Sequence, residues 1–190
     1  MKKSNVFVAL LHYPMNNKRG DIVTTSITNL DLHDIARAAR TYDVEGFYVV
    51  HPSISQQKLI SDILSYWQNG YGGIYNPDRK EAFSRLHHSN TLEEAIQLIE
   101  QKTGKKVYTV ATDAKKYSNS ISYKGMKEKI FTEENVYLLL FGTGWGMTQE
   151  LLNTCDYILE PVQGGSDYNH LSVRSAVSII IDRLLGEYWF

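Results

Sequence analysis

Cysteine is nearly absent from this chain of 190 residues, which contains only Cys155. A single thiol cannot form an internal disulfide, so a disulfide-stabilised secreted scaffold is excluded and a reducing compartment is favoured. Long apolar runs are also missing, because no stretch approaches the length of a membrane span. The apolar run at 6–11 ends at His12, and it is shorter than the apolar region of a secretory signal. We therefore expect a cytoplasmic protein with no membrane segment.

The sequence has no excess of charge of either sign. Its 20 lysines and arginines face 21 aspartates and glutamates, so no overall field indicates a nucleic-acid partner. Two segments, 1–21 and 113–129, are locally basic with a net charge of +3 each, and Tyr117 and Tyr123 lie among the lysines of the second. Basic loops with aromatic residues suit looped or single-stranded RNA, and a solvated lysine-rich loop is an equal alternative.

Apolar residues make up 43% of the chain, enough for one domain over residues 1–190 with a sizeable core. The apolar patterns predict strands at 6–11, 46–52, 86–88, 106–113, 136–141 and 157–162, helices at 29–40, 58–68, 91–104 and 171–185, and a turn-rich segment at 69–80. Continuous apolar runs such as VYLLLF are typical of strands buried on both faces. Strands that alternate with helices predict an α/β fold with a parallel sheet flanked by helices.

Three polar loops follow the predicted strands that end near residues 110, 141 and 159. Their sequences are ATDAKK, FGTGWGM and EPVQGGSDYNHLS. Open sheets of this kind bind ligands outside the carboxyl ends of their strands, so we expect the three loops to open toward one ligand. For any single loop, a tight strand-to-helix turn is the alternative.

Glycine occupies alternate positions of the middle loop, at Gly142, Gly144 and Gly146. Glycine permits positive φ and close approach to the backbone, and a glycine loop between a strand and a helix is a common setting for nucleotides. The match to the dinucleotide fingerprint is imperfect because Met147 stands in place of its last glycine, although Glu160 supplies an acid after the next strand. A dinucleotide-binding, oxidoreductase-like protein therefore stays as an alternative.

Two C-terminal stretches, LLLFGTGWGM and YILEPVQGGSDYNHLSVRSAVSIIIDRLLG, resemble the C-terminal half of the SPOUT class of RNA methyltransferases. NLDLHDIARAAR resembles the first motif of that class, with Arg37 as the best match to its arginine and Arg40 as the rival. The resemblance implies a C-terminal deep trefoil knot at about 136–186, S-adenosylmethionine as cofactor, no metal, and tRNA or rRNA as substrate. It also implies a homodimer paired through the knot. A catalytically silent RNA-binding module of the same fold is a further alternative.

The resemblance also implies which residues form the site. Adenine would approach the backbone at Gly142 and Gly144, where side chains are missing, and Arg37, Asp167 and His170 would handle the target. The residues expected to hold the cofactor are Ala111, Thr112, Asp113, Leu140, Phe141, Gly142, Thr143, Gly144, Trp145, Gly146, Leu159, Glu160, Pro161, Val162, Gly165, Ser166, Asn169, His170, Leu171, Ser172 and Ser175.

Some residues depart from the patterns of the class or allow another interpretation. The motif glutamate of its ribose 2′-O methyltransferases is absent, and Asp167 matches the acid of its guanine-N1 branch only loosely, so the target atom stays open. Asp167 could equally be a turn residue and Asn169 a helix N-cap. Arg174 falls in the first turn of the last helix, where it opposes the helix dipole and indicates an anionic partner. The aromatic tail at 187–190 should be covered by a partner subunit or by the core.

Overall fold

The computed structural model describes residues 5–187. Its elements, in chain order, are β1 (Val6–Leu11), β2 (Met15–Asn16), β3 (Ile22–Val23), α1 (Asn29–Thr41), β4 (Gly46–Val50), α2 (Ile54–Gln68), α3 (Tyr71–Tyr75), α4 (Pro77–Phe83), β5 (Leu86–Ser89), α5 (Leu92–Thr103), β6 (Val107–Ala111), α6 (Tyr123–Thr132), β7 (Val136–Gly142), α7 (Gln149–Thr154), β8 (Tyr157–Ile158) and α8 (Val173–Leu185). The first four residues of the basic N-terminal segment and the aromatic residues of the C-terminal tail lie outside the described residues, so the expectations for them stay predictions.

Six strands form one sheet in the order β5-β4-β1-β7-β6-β8. Every pairing in this sheet is parallel, which confirms the predicted α/β fold. The central strands β1 and β7 are buried almost throughout, as their continuous apolar sequences indicate. The carboxyl ends of all six strands consequently lie along the same edge of the sheet.

Helices cover both faces of the sheet. Apolar residues of α1, α2, α4, α6 and α8 form one core cluster with one face of the strands, and those of α5 and α7 form a second cluster with the other face. The chain therefore changes face between α7 and α8. None of the described helices is both long and apolar enough to span a lipid bilayer.

As the chain changes face, residues 158–160 pass between the two ends of the loop 112–120. The backbone N–H of Leu159 donates to the carbonyl of Ala111 at 2.8 Å, at the end of β6. On the other side, the N–H of Ile121 donates to the carbonyl of Ile158 at 2.8 Å, and that of Glu160 donates to the carbonyl of Ile121 at 2.9 Å. The two ends of the loop 112–120 thus lie on either side of the chain that leads to α8.

The structure differs from the predicted elements mainly in short helices. The turn-rich segment 69–80 contains α3 and most of α4, whose start is fixed by Asn76, since its side chain accepts the N–H of Arg79 at 2.9 Å. α6 and α7 were not predicted, because few of their residues are buried and the apolar pattern is correspondingly weak. The last strand was expected to reach 162 but ends at Ile158, after which only a single bridge joins Leu159 to Ile121.

Candidate active site

The three polar loops meet at one cavity beside the carboxyl ends of β6 and β7. It has a volume of about 940 Å³, which lies toward the upper end of the range of ligand pockets, roughly 300–1,000 Å³. The expected cofactor residues that line it are Thr112, Asp113, Phe141, Gly142, Thr143, Gly144, Trp145, Gly146, Val162, Asn169, His170, Leu171 and Ser172. The convergence expected from the sheet is therefore found in the structure.

The cavity also has walls that the sequence analysis did not include. They are formed by Thr25, Ser26, Thr28 and Asp31 around the start of α1, by Ala114 and Lys115, and by Val173, Ala176 and Ile180 on α8. One signal was available for the first group: Thr28 is the N-cap of α1, and its hydroxyl accepts the backbone N–H of Asp31 at 3.2 Å. The helical spacing on α8 predicts only an apolar face. That pattern does not tell whether the face lines a ligand site or packs in the core.

Contacts and backbone angles within the protein explain the glycines of the middle loop. A Cβ atom on Gly142 would lie 2.9 Å from Cγ of Met147 and 3.3 Å from the sulfur of Met15. Gly144 and Gly146 have φ angles of 61° and 90°, a region that side chains disfavour. The missing side chain of Gly142 thus makes room for Met147, whereas the resemblance implied that adenine would use that room.

The segment around β2 holds the glycine loop in place. The N–H of Trp145 donates to the carbonyl of Asn16 at 3.2 Å, and the N–H of Asn16 donates to the carbonyl of Gly146 at 2.9 Å. The Asn16 side chain also donates to the carbonyl of Met147 at 2.9 Å. The loop backbone is therefore fixed, while the Trp145 side chain is 65% exposed and available to a ligand or partner.

The third loop is joined to the first through Asn169. Its side-chain amide donates to the carbonyl of Ala114 at 2.6 Å. The N-cap of α8 is Ser172, which accepts the N–H of Ser175 at 3.3 Å, so the N-cap interpretation of Asn169 was wrong. His170 is exposed at the cavity, and its ring centre lies 5.6 Å from that of Tyr168.

A partly buried ion pair closes the wall between α1 and α8. Asp31 is buried, its carboxylate accepts the hydroxyl proton of Thr28 at 2.6 Å, and it lies 3.6 Å from Nε of Arg174. The same Nε lies 3.8 Å from the carboxylate of Asp34. Two carboxylates of α1 thus account for a cation in the first turn of α8, where the sequence alone had indicated an anionic partner.

Only one of the three residues expected to act on the target lines the cavity. His170 does so, whereas Arg37 lies on the exposed face of α1 and Asp167 lies in the exposed part of the third loop. Arg40, the rival of Arg37, donates its Nε–H to Glu81 at 2.8 Å. Arg40 is therefore engaged in a contact within the chain, and Arg37 stays the predicted match to the motif arginine.

The other expected cofactor residues do not belong to the cavity lining. Ala111, Leu140 and Leu159 are buried in the core beside it, and Glu160 pairs with Lys116 at 3.0 Å. The remaining residues outside the lining are Pro161, Gly165, Ser166 and Ser175. Within residues 5–187, no group of three or more histidine, cysteine, aspartate or glutamate side chains is arranged to hold a metal ion.

The basic segment 113–129 is partly committed to contacts within the protein. Besides Lys116, Lys129 pairs with Glu133 at 2.9 Å, and Lys127 donates to the carbonyl of Gly186 at 2.7 Å. Lys115 lines the cavity. Part of the positive charge in this segment therefore stabilises the fold, and Lys115 brings a cation to the site.

Curated relatives match nearly the whole chain. An uncharacterised protein of Aquifex aeolicus (strain VF5) is 45% identical over 98% of this chain and 91% of its own length. A protein of Nitratidesulfovibrio vulgaris (strain Hildenborough) named tRNA (guanine-N(1)-)-methyltransferase is 43% identical over 96% of this chain. The match covers only 42% of the length of that second relative.

The fold is shared with a solved methyltransferase. The SpoU methyltransferase AviRb from Streptomyces viridochromogenes, in a complex with the cofactor AdoMet, has a TM-score of 0.58 at 15% identity over 97% of this chain and 58% of its own. Residues 5–186 match the model of a family described as SAM-dependent RNA methyltransferase. The resemblance to the SPOUT class is thus confirmed, and the chain belongs to this family of S-adenosylmethionine-dependent RNA methyltransferases.

Proposed function

We propose that this chain transfers the methyl group of S-adenosylmethionine to RNA and that the cofactor binds in the cavity beside β6 and β7. The observation that carries the proposal is the convergence of the three loops on one cavity. The family of the chain supports both the cofactor and the RNA substrate. The dinucleotide-binding alternative and the silent RNA-binding module have no comparable support.

The residues around the cavity fit this cofactor. Phe141, Val162 and Leu171 supply apolar surface suited to an adenine ring. The Asp113 carboxylate suits ribose hydroxyls or the ammonium group of methionine, and Lys115 suits its carboxylate. The sulfonium of the cofactor supplies an activated methyl group, which the transfer reaction can use without a metal ion. The task of the protein is then to position the methyl group and to accept a proton from the target.

We assign the handling of the target to Arg37, Asp167 and His170. His170 lies at the cavity itself and can accept or hold a proton there. Arg37 does not line the cavity of its own subunit, and its exposed position on α1 leaves it accessible to a second copy. We therefore propose a homodimer in which Arg37 completes the site of the neighbouring subunit.

The proposal includes a C-terminal trefoil knot. Its support is the passage of residues 158–160 between Ala111 and Ile121, with hydrogen bonds on both sides. In this topology the chain from β8 to α8 is threaded through the loop 112–120, so the cavity is built from both the loop and the thread. An experimental structure in which that chain passes outside the loop would refute the knot.

For the substrate we propose a tRNA or an rRNA in the cytoplasm. The name of the Nitratidesulfovibrio relative favours tRNA, but this chain spans about two fifths of that protein, whose name describes the whole. No residue identified in the cavity selects a guanine N1 atom over another target atom. The proposal is accordingly methyl transfer to RNA, with the target nucleotide to be identified by experiment.

Calorimetric titration with S-adenosylmethionine, its demethylated product and NAD tests the cofactor site. We expect the first two to bind and NAD not to bind. Ala176→Phe places a large side chain in the cavity wall and should abolish binding, whereas Gln101→Phe, at an exposed position of α5, is the matched control. Tight binding of NAD with no response to the other two ligands would contradict the proposal.

A further inference from the structure

Three side chains form a continuous hydrogen-bonded row along the cavity wall. Nδ1 of His12, directly after β1, lies 2.8 Å from the hydroxyl oxygen of Thr25. This hydroxyl contacts the hydroxyl of Thr143, which in turn donates to the carbonyl of Leu11 at 2.9 Å. Thr25 and Thr143 line the cavity, whereas His12 is fully buried behind them.

Only one assignment of the hydrogen-bonding protons satisfies every donor and acceptor in this row. Thr143 has a single hydroxyl proton and gives it to Leu11, so Thr25 must donate its own proton to Thr143. The Thr25 oxygen is then left to accept, which means that Nδ1 of His12 carries the ring proton and Nε2 is bare. Nε2 of His12 is buried without a hydrogen-bond partner among residues 5–187, in agreement with a neutral ring of this tautomer.

A second histidine holds the same threonine through its backbone. Nδ1 of His51 accepts the N–H of Ser53 at 3.0 Å, so its Nε2 carries the proton and donates to the carbonyl of Thr25 at 2.9 Å. The His12 and His51 rings lie 5.4 Å apart. Burial, with a smaller contribution from His51, lowers the pKa of His12 to about 4. Burial also lowers the pKa of His51, so at neutral pH two uncharged imidazoles fix Thr25 in place.

We propose that His12 is a positioning residue for the cofactor site: its Nδ1–H fixes the hydroxyl of Thr25 against Thr143 and so sets the spacing between two walls of the cavity. One wall is the segment before α1, and the other is the glycine loop. The walls are already close, because a Cβ atom on Gly144 would lie 3.1 Å from the methyl carbon of Thr25. The inference rests on the proposed function for the identity of the ligand, and His12 acts on that ligand only through the two threonines.

Two matched pairs of variants test this role. An asparagine at position 12 can place an amide N–H where Nδ1 of His12 lies, whereas a glutamine reaches the position of Nε2. By calorimetry with S-adenosylhomocysteine, we expect His12→Asn to bind nearly as the wild type and His12→Gln to bind about tenfold more weakly, as for the loss of a neutral hydrogen bond. Thr25→Ser keeps the hydroxyl and should bind nearly as the wild type. Thr25→Val removes it and should bind about tenfold more weakly. This second pair decides the test if His12→Gln does not fold.

Two further measurements separate positioning from general stability. In Thr25→Val the KM for the cofactor should rise while kcat changes little, and long-range ¹H–¹⁵N NMR of the wild type should place the ring proton of His12 on Nδ1. Wild-type affinity in folded Thr25→Val, or a proton on Nε2, would overturn the inference. A wild-type protein that does not bind S-adenosylhomocysteine would instead overturn the proposed function, and the NMR measurement would still test the order of protons.

Discussion

Asp31 at the start of α1 and Arg174 at the start of α8 face each other in the wall of the cavity, with Oδ1 and Nε 3.6 Å apart. Their side chains are 12% and 31% exposed, so solvent screens the pair only partly. The contact ties α1, which carries Arg37, to the helix that follows the third loop. It therefore fixes the geometry of the cavity wall. Arg174 serves this contact and is not set aside for an anionic ligand.

Removing one partner of this pair should destabilise the fold measurably. Arg174→Gln leaves the nearly buried carboxylate of Asp31 without its cation, so we expect a loss of about 1 kcal/mol in the free energy of unfolding. Urea denaturation measures this loss, and the exposed pair of Lys58 and Asp62 supplies the control. Lys58→Gln should change stability by less than about 0.5 kcal/mol. Equal losses in the free energy of unfolding for the two substitutions would show that burial does not strengthen the contribution of the Asp31 pair to stability.

Gly142 should tolerate no side chain, for reasons internal to the protein. Gly142→Ala sets a methyl group 2.9 Å from Cγ and 3.0 Å from the backbone nitrogen of Met147, and we expect it to cost about 1–3 kcal/mol of stability. Gly164→Ala is the matched control, because nothing lies within 4 Å of its Cβ position. If Gly142→Ala weakens cofactor binding at unchanged stability, close approach of a ligand explains that glycine better.

Stability should depend on pH through His12. Its pKa falls from the ordinary 6.5 to about 4 in the folded protein, so well above pH 6.5 the ring is neutral in both states. As the pH falls from 6.5 to 4, the His12 side chain binds a proton in the unfolded chain but not in the folded protein. The free energy of unfolding therefore falls by up to about 3 kcal/mol. The wild type should lose more stability than His12→Asn across this window. Parallel stability curves for the two proteins would contradict the burial of a neutral ring.

The dimer proposal predicts a mass in light scattering near twice 21.7 kDa. It also predicts complementation between two inactive variants, Arg37→Ala and Ala176→Phe. In a mixed dimer, the intact cavity of the first variant receives Arg37 from the second, so equal mixing should restore about a quarter of wild-type activity. A monomeric mass at micromolar concentration, or no activity in the mixture, would exclude a site shared between subunits.

The sequence was sufficient for the features that depend on local pattern. Continuous apolar runs identified the buried parallel strands, and the parallel arrangement placed the loops that contain Asp113, Gly144 and His170 at one edge. The features it could not predict depend on contacts between distant segments. The approach of Met147 to Gly142, the pairing of Arg174 with Asp31 and the row from His12 to Thr143 appear only when the chain is folded. Gly142 and Arg174 each had a plausible local interpretation that the tertiary contacts replaced.

The central claim is that the cavity holds S-adenosylmethionine for methyl transfer to RNA. The most direct measurement is nucleoside mass spectrometry of RNA from a strain lacking this gene, after incubation with purified protein and S-adenosylmethionine. The wild-type protein and Gln101→Phe should each produce the same one methylated nucleoside, and Ala176→Phe should produce none. No new methylated nucleoside in tRNA or rRNA, from wild-type protein that binds the cofactor, would contradict the RNA assignment.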